Sequence, residues 1–248
     1  MYEQPRLLPA GDGALVVEFG NEITPEINAR VRSLTAALEA ESLAGVVELV
    51  PTYRSILVHF DPLIMAPEVL ETRLLKVIDG LAELKLPEPE VTMVPVCYGG
   101  EFGPDLDYVC EHTGLSTEEV IKLHTGTDYL IYMLGFTPGF SYLGGMDERL
   151  ATPRLKTPRT HIPAGSTGIA GKQTGIYPIV SPGGWQLIGR TPLKLYDPFR
   201  DPPVLLKAGN YVRFLAISED KYREIAAQIS DGTYQIQQKP LSEGGAAK

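Results

Sequence analysis

Closely spaced glycine and proline residues divide the second half of the chain into short apolar segments. Between Gly126 and Gly209 there are 13 Gly and 10 Pro. At this density the two residue types prevent long helices, but they suit strands joined by tight turns. The apolar segments are residues 130–134, 176–180, 185–188, 193–196, 204–206 and 211–217. Short strands separated by turn residues predict a closed barrel or a sandwich of β-strands.

Residues 1–98 alternate instead between strand and helix patterns. Thr24 followed by Pro25 is typical of a helix start, and apolar residues then recur at helical spacing to about Glu41. Pro67 begins a second helix of the same kind. Apolar strand segments lie at residues 15–19, 46–50, 56–60 and 91–97. The order strand, helix, strand, strand, helix, strand predicts a ferredoxin-like βαββαβ domain.

Local signals predict further elements around the barrel. Ser116 and Glu119 have the spacing of a capping box at the start of a helix. The other predicted elements are a connector at residues 85–90, helices at 105–112 and 219–229, and a last strand at 234–237. The predicted fold class is therefore α+β. Its parts are a ferredoxin-like domain over residues 1–98, a β-barrel domain with two leading helices over 99–240, and a disordered tail over 241–248.

The charge and cysteine content exclude several classes of protein. The chain has 22 Lys and Arg against 31 Asp and Glu, a formal net charge of −9, which argues against a nucleic-acid binder. Two cysteines cannot supply a disulfide scaffold or a four-cysteine zinc site, and the four histidines have no metal-ligand spacing. There is no apolar run of about 18 residues and no signal-peptide pattern, so we expect no membrane span and a cytoplasmic location.

Acidic residues are absent from a long segment of the barrel region. From Arg149 to Tyr196, 48 residues contain no Asp or Glu and seven Lys or Arg. The segment therefore carries a formal charge of +7. Since the whole chain has a net charge of −9, the other 200 residues carry −16. A positive region on an acidic protein attracts anions. We predict that some of these bases face an anion; the alternative is that they pair with acids from elsewhere in the chain.

Two arginines of the acid-free segment stand out because each follows a proline. Arg154 and Arg159 follow Pro153 and Pro158, which stiffen the backbone that directs them. A guanidinium group suits a carboxylate or phosphate. The segment itself has no carboxylate that could act as a general base, so His161 is its main candidate for moving a proton.

Two glycine-rich stretches could bind anions through their backbone. Residues 165–173 resemble a P-loop superficially, but Ser166 stands where the pattern needs glycine and Gln173 where it needs Ser or Thr. The stretch is either an anion-binding backbone nest or a set of tight turns between strands. Residues 99–105 precede a helix, and there we expect Asp105 to cap that helix.

Aromatic residues concentrate in one turn and near one glycine pair. Residues 136–142 form an aromatic-rich turn containing Pro138, and Trp185 follows the sequence Ser-Pro-Gly-Gly. An exposed aromatic and proline surface is typical of a groove for a partner. A hydrophobic plug at the end of a barrel would have the same composition.

Together these segments identify a family. The motifs GFTPGFSYLGG (135–145), TPR-x4-PR (152–159), IPAGSTGIAGKQTGIYP (162–178), SPGGW (181–185) and IGRTP (188–192) follow one another in this order. The sequence resembles the family of the 5-oxoprolinase B subunit, which includes allophanate hydrolase subunit 1 proteins and a sporulation-kinase inhibitor. It is also similar to one half of the carboxyltransferase domain of urea carboxylase. The resemblance covers residues 7–217.

The resemblance implies a fold and an activity. The barrel should be cyclophilin-like and the first domain ferredoxin-like. The protein should act with the A and C subunits of 5-oxoprolinase in the ATP-dependent opening of 5-oxoproline to L-glutamate, as an amide hydrolase that is inactive alone. ATP should be bound mainly by one of these partners, no metal site is expected, and the anionic substrate suits the acid-free segment.

The motif positions and, for His161, the acid-free segment supply the candidate site residues. The candidates for catalysis are His161, Arg154 and Arg159. The candidates for contacts with the anionic substrate are Gln173, Arg190, Ser166 and Lys172. The candidates for the pocket wall are Phe140, Tyr142, Tyr177 and Trp185.

Two other functions stay open at this point. The aromatic and proline surface could bind and inhibit a sensor histidine kinase, as the resemblance to an inhibitor suggests. Alternatively, the chain could be half of a biotin-dependent carboxyltransferase acting on urea or a related amide, or a component associated with allophanate hydrolase.

Overall fold

The computed structural model describes residues 1–81 and 86–243 and divides into two compact units, Met1–Pro87 and Glu88–Lys248. The division therefore precedes the strand at residues 91–97, which the sequence pattern places in the first domain. Residues 82–85 and 244–248, which include the start of the predicted connector and most of the predicted tail, lie outside the described residues.

The first unit is a four-stranded antiparallel sheet with two helices. Its elements are β1 (Arg6–Pro9), β2 (Ala14–Glu18), α1 (Pro25–Glu41), β3 (Val46–Pro51), β4 (Ser55–Phe60) and α2 (Pro67–Gly80). Thr24 caps α1 as predicted, because its hydroxyl accepts a hydrogen bond from the Ile27 N–H. A stripe of buried residues on α1, Ile27, Val31, Leu34 and Leu38, packs in the core of this unit.

The strand order of this sheet is β1-β2-β4-β3, so β4 lies between β2 and β3 as in a split βαβ motif. The position beside β2 is occupied by β1, which pairs Arg6 with Glu18. The predicted βαββαβ order is therefore wrong at its sixth element. A four-residue, largely exposed edge strand such as β1 leaves little hydrophobic pattern in the sequence.

The second unit contains a closed barrel. Its elements are β5 (Glu90–Tyr98), α3 (Leu106–Thr113), α4 (Thr117–Thr125), β6 (Tyr129–Leu134), β7 (Ser141–Gly144), β8 (Arg159–Ile162), β9 (Ser166–Ala170), β10 (Gln173–Ile176), β11 (Ser181–Gly183), β12 (Gln186–Arg190), β13 (Tyr211–Ile217), α5 (Glu219–Ser230) and β14 (Gln238–Pro240). Seven described strands follow one another in the order β12-β9-β10-β7-β6-β13-β5, and pairing of β5 with β12 closes the ring. The α+β class is confirmed, and the barrel matches the cyclophilin-like architecture that the resemblance implied.

Strand β5 is central to the barrel. It pairs in parallel with β13 from Val91↔Tyr211 to Cys97↔Ile217, and its apolar residues are buried in the barrel core. Strand β14 pairs with the first residues of β5, Glu90–Thr92, whereas β12 pairs with its last residues. The strand predicted at residues 234–237 is therefore wrong, because the strand begins at Gln238. The next residues, Leu241–Glu243, form a 3₁₀ turn whose Leu241 N–H donates to the Pro89 carbonyl. The tail predicted to be disordered from residue 241 is therefore wrong at its first three residues.

The strands on one side of the barrel are buried on both faces. Ile169, Ile176 and Ile188 belong to the core inside the barrel. The residues next to them in sequence, Ala170, Tyr177 and Leu187, belong to a second apolar cluster on the opposite face. Strands β8 and β11 pair with each other in a separate two-stranded sheet, and Ile162 of β8 packs into this second cluster.

Candidate functional site

Four predicted wall residues meet on the outer face of the barrel. We call Phe140, Tyr142, Tyr177 and Trp185 the aromatic cluster. The Phe140 ring is the centre of the group, 5.3 Å from Tyr142, 5.6 Å from Tyr177 and 5.6 Å from Trp185 between ring centroids, and every contact is edge-to-face. Phe140, Tyr177 and Trp185 are buried, whereas Tyr142 is partly exposed.

Two glycines form a floor beneath Trp185. Gly168 and Gly175 are partners across β9 and β10. A Cβ on Gly175 would lie 3.1 Å from the indole Cζ3 of Trp185, and a Cβ on Gly168 would lie 3.3 Å from the Trp185 Cβ. Gly183 has the same relationship to the Tyr177 hydroxyl. The glycines of these motifs therefore serve close packing of the aromatic cluster.

The backbone around Arg154 is attached to the barrel on both sides. The Leu155 N–H donates to the Gly184 carbonyl at 2.7 Å, and the buried Gln186 amide donates to the Pro153 carbonyl at 2.9 Å. Arg154 itself is exposed. None of the described residues in this unit forms a hydrogen bond or an ion pair with its guanidinium group. Arg154 is thus a cation on a fixed backbone, available to a ligand.

Tyr177 is electrostatically linked to both arginines. Burial raises the pKa of the Tyr177 phenol, while a hydrogen bond with the Trp185 backbone and the charges of Arg154 and Arg159 oppose that rise. The phenol therefore stays protonated at neutral pH, and the charges of both guanidinium groups act on it.

Arg159 has protein partners, unlike Arg154. Its Nη2 donates to the Asp105 carboxylate at 2.6 Å, and its Nη1 donates to the Trp185 carbonyl at 3.3 Å. Asp105 makes no capping bond to α3; its other oxygen accepts from the Leu187 N–H at 2.6 Å. The predicted cap is therefore wrong. The carboxylate that neutralises Arg159 comes from outside the acid-free segment, as the alternative explanation of that segment allowed.

Other bases of the acid-free segment also have partners. Arg149 pairs with Asp147 and Lys172 with Glu148, both at 2.7 Å. Lys172 and Glu148 are largely exposed, and such a pair is weak enough to open for a ligand. The seven charges therefore do not form one uniform positive surface.

The remaining candidates are dispersed. Gln173 begins β10 opposite Ala170, which places it on the face of the aromatic cluster. Ser166 is buried, with no partner for its hydroxyl among the described residues. Its cross-strand neighbour Arg190 lies at the other end of β12 from Trp185, where it donates to the Glu101 carbonyl and covers the Phe102 ring. Arg190 is therefore separated from Arg154.

His161 lies on β8 and is exposed. In the described part of the second unit no carboxylate or carbonyl holds its imidazole in one orientation. Its role in proton transfer stays a prediction.

The glycine-rich stretch at residues 165–173 is a set of turns. Most of its N–H groups are used within the barrel: Gly165 donates to the Tyr177 carbonyl, Ser166 to Pro163 and Gly171 to Thr152, and strand β9 pairs with β10 on one side and β12 on the other. These bonds leave no group of free amides for a phosphate, so the stretch does not fit the phosphates of ATP.

The amino-acid sequence does not reveal the role of Asp105 or of the glycine floor. Both depend on contacts between segments far apart in the chain, such as Asp105 with Leu187. Among residues 1–81 and 86–243, no three His, Cys, Asp or Glu side chains come together as metal ligands. None of the described helices is long and apolar enough to cross a membrane.

The comparison with known proteins agrees with the motifs. The family described as "Carboxyltransferase domain, subdomain C and D" matches residues 5–206. The B subunit of the Bacillus subtilis 5-oxoprolinase is 46% identical over 226 residues, covering 86% of this chain and 92% of that protein. The B subunit of the Escherichia coli O157:H7 5-oxoprolinase is 42% identical over 218 residues, covering 88% and 98%.

A solved structure supports the fold. The Kluyveromyces lactis urea amidolyase has a TM-score of 0.75 at 22% identity, covering 95% of this chain and 16% of that protein. At this identity the likeness concerns the fold alone. The family match and the identity to the two bacterial proteins extend over most of the chain. The chain therefore belongs to the family of 5-oxoprolinase B subunits, within the carboxyltransferase-domain proteins.

Proposed function

We propose that this chain is the B subunit of an ATP-dependent 5-oxoprolinase, a hydrolase complex that opens the lactam of 5-oxoproline to give L-glutamate. The observation that carries the proposal is the identity of 46% and 42% to proteins of that name over nearly their full length. Its partners would be the A and C subunits, and its cytoplasmic location stays a prediction.

The aromatic cluster and Arg154 have the chemistry of a site for such a substrate. 5-Oxoproline is a small five-membered lactam with one carboxylate. A guanidinium group binds a carboxylate through two parallel hydrogen bonds. The N–H donors of Arg154 are available for this, because no described residue of the unit bonds to them. The partly exposed Tyr142 ring, backed by the buried rings of the cluster, offers an apolar surface for the methylene groups of the lactam. One unneutralised guanidinium favours a singly charged ligand over a phosphate.

This chain would bind and orient, while ATP acts elsewhere in the complex. The glycine-rich stretch does not fit nucleotide phosphates, so we assign no step through ATP to these residues. Opening an amide requires that the negative charge developing on its oxygen be stabilised. Arg154 could supply that stabilisation if the lactam oxygen rather than the carboxylate faced it. His161 remains the candidate for proton transfer.

The test is a substitution series in the assembled complex. We would purify the chain with its partners and measure glutamate formed from 5-oxoproline with and without ATP. Arg154→Ala should abolish turnover, and Arg154→Lys should restore only part of it, because an ammonium group lacks the guanidinium fork. Arg223→Ala is the control, since Arg223 forms a surface pair with Glu219 on α5 and has no other ion pair among the described residues. Full activity of the Arg154→Ala complex would reject this site.

Carboxyl transfer is a second candidate, because the matching family is described as a carboxyltransferase domain and the barrel fold recurs in urea amidolyase. That function requires a biotinylated partner. A streptavidin blot of the purified complex separates the two candidates: a biotinylated band with no formation of glutamate would favour carboxyl transfer.

A further inference from the structure

Arg159 connects three segments beside the aromatic cluster. Its guanidinium group joins the Asp105 carboxylate, which precedes α3, to the Trp185 carbonyl, which precedes β12. The second oxygen of Asp105 is used by the Leu187 N–H, and the Asp105 N–H donates to the Leu187 carbonyl at 2.9 Å. Arg159 and Asp105 are therefore held from both sides, and their exposed side-chain fractions are only 29% and 12%.

The position of Trp185 needs such support. The two residues before it, Gly183 and Gly184, have little conformational preference of their own. On the other side, the indole packs against the glycine floor with no space to spare. Contacts to the backbone must therefore fix where the indole lies. Those contacts include the bond from Leu155 to the Gly184 carbonyl, the bond from Arg159 to the Trp185 carbonyl, and the hydrogen bond between the Tyr177 phenol and the Trp185 backbone.

We propose that Arg159 is a positioning residue rather than an anion contact: paired with Asp105, it sets Trp185 and with it the face on which the substrate binds. The inference rests on the proposed function for the identity of that substrate. Neutralisation by Asp105 leaves Arg154 as the cation that meets the ligand, so the two arginines of one motif have different tasks.

Trp185 is the only tryptophan of the chain, so its fluorescence reports on this position directly. In the purified chain, Arg159→Ala and Asp105→Ala should shift the emission to longer wavelength and increase quenching by acrylamide. The double variant should resemble either single variant. Arg154→Ala and Arg223→Ala should keep the wild-type spectrum. Wild-type emission and quenching in a folded Arg159→Ala chain would overturn the proposal, as would a change equally large in Arg154→Ala.

Asp105→Asn gives a second test with nearly the same side-chain volume, in case the alanine variants fail to fold. It removes the charge that neutralises Arg159. If Arg159 contacts the anion directly, the released guanidinium should lower the KM for 5-oxoproline in the complex. If Arg159 positions Trp185, the KM should rise and kcat/KM should fall by about tenfold or more.

The two tests separate this inference from the proposed function. A lower KM in Asp105→Asn would overturn the positioning role. If the complex turns over no 5-oxoproline at all, the proposed substrate fails, but the fluorescence of the Arg159 and Asp105 variants still decides whether the pair sets Trp185.

Discussion

The Tyr98 hydroxyl lies 2.7 Å from Nδ1 of His124, inside the second unit. On the other side of the ring, Nε2 lies 2.8 Å from the Thr174 hydroxyl, which itself donates to the Gly168 carbonyl. Since the single Thr174 proton is used there, Nε2 must donate and Nδ1 must accept from Tyr98. His124 is therefore a neutral imidazole, although its place near the end of α4 would favour a cation.

This neutral histidine makes stability depend on pH. Burial lowers the pKa of His124 from 6.5 to about 3. In the unfolded chain His124 is therefore protonated below pH 6.5, whereas in the folded chain it is protonated only below about pH 3. The contribution of His124 to the free energy of unfolding is fully present above pH 6.5. It is lost as the pH falls from 6.5 towards 3, by about 1.4 kcal/mol per pH unit.

Urea unfolding followed by Trp185 fluorescence checks this at about pH 7 and about pH 5.5. The His124→Gln variant should be less stable by about 1–3 kcal/mol near neutrality, because it breaks the buried hydrogen bonds. It should also lose less stability than the wild type on acidification. Equal losses in the two proteins would show that His124 does not titrate on unfolding.

Two Asp–Arg pairs of different burial should differ in their effect on stability. Asp128 accepts two bonds from Arg213, at 2.6 and 2.5 Å, and is 8% exposed. Asp128→Asn should lower the free energy of unfolding by about 3 kcal/mol, as for a buried pair. Asp147→Asn should cost less than about 1 kcal/mol, because water screens its pair with the largely exposed Arg149.

The Asp147 pair is a strict control because hydrogen bonds from Arg149 lower the pKa of Asp147 to about 2. That shift shows an interaction, but solvent limits its effect on stability. Chemical denaturation of both variants measures the difference; a cost at Asp147 equal to that at Asp128 would contradict the importance of burial here.

The glycine floor predicts two different outcomes for one kind of substitution. A Cβ at Gly168 would lie 2.8 Å from the Gln186 carbonyl oxygen, which is backbone and cannot move freely. Gly168→Ala should therefore cost about 1–3 kcal/mol. At Gly175 the closest atom would be the Trp185 Cζ3 at 3.1 Å, and the nearest backbone atom, the Ser141 carbonyl oxygen, would lie 3.3 Å away, so the clash is milder. Gly175→Ala should change Trp185 fluorescence and raise the KM with a smaller loss of stability; an unchanged spectrum would argue against the floor.

The first unit offers a stabilising substitution. Helix α2 begins after Ala66, which has the backbone angles of a helix cap but no side chain that can accept a bond from the first turn. Ala66→Ser should raise stability by about 1 kcal/mol, whereas Thr24→Ala should lower it by about the same amount at α1. Thermal unfolding of the two variants compares them directly, and a destabilised Ala66→Ser protein would refute the prediction.

Local signals predicted the helices well. The cap at Thr24, the capping box formed by Ser116 and Glu119, and Pro67 at the start of α2 all stand where the sequence placed them. Each signal acts within one helical turn, so neighbouring residues suffice to determine it. Asp105 failed as a cap because a stronger pair of bonds, to Arg159 and Leu187, takes its carboxylate.

The partners of strands were harder to predict. Strand β5 has the expected residues, but its parallel neighbour β13 lies more than a hundred residues later in the chain. Periodicity shows that a segment is a strand and which face is apolar; it does not show which sheet the segment joins. The sequence pattern therefore places β5 in the first domain, whereas its pairing places it in the barrel.

The sequence by itself determined the family, the helices and the aromatic character of the outer face, because these follow from contiguous motifs. Tertiary structure alone decided which cations are available there. Arg154 and Arg159 are alike in sequence, each following a proline. A carboxylate from before α3 neutralises Arg159 and leaves Arg154 exposed. Charge neutralisation depends on distance in space, and distance along the chain does not reveal it.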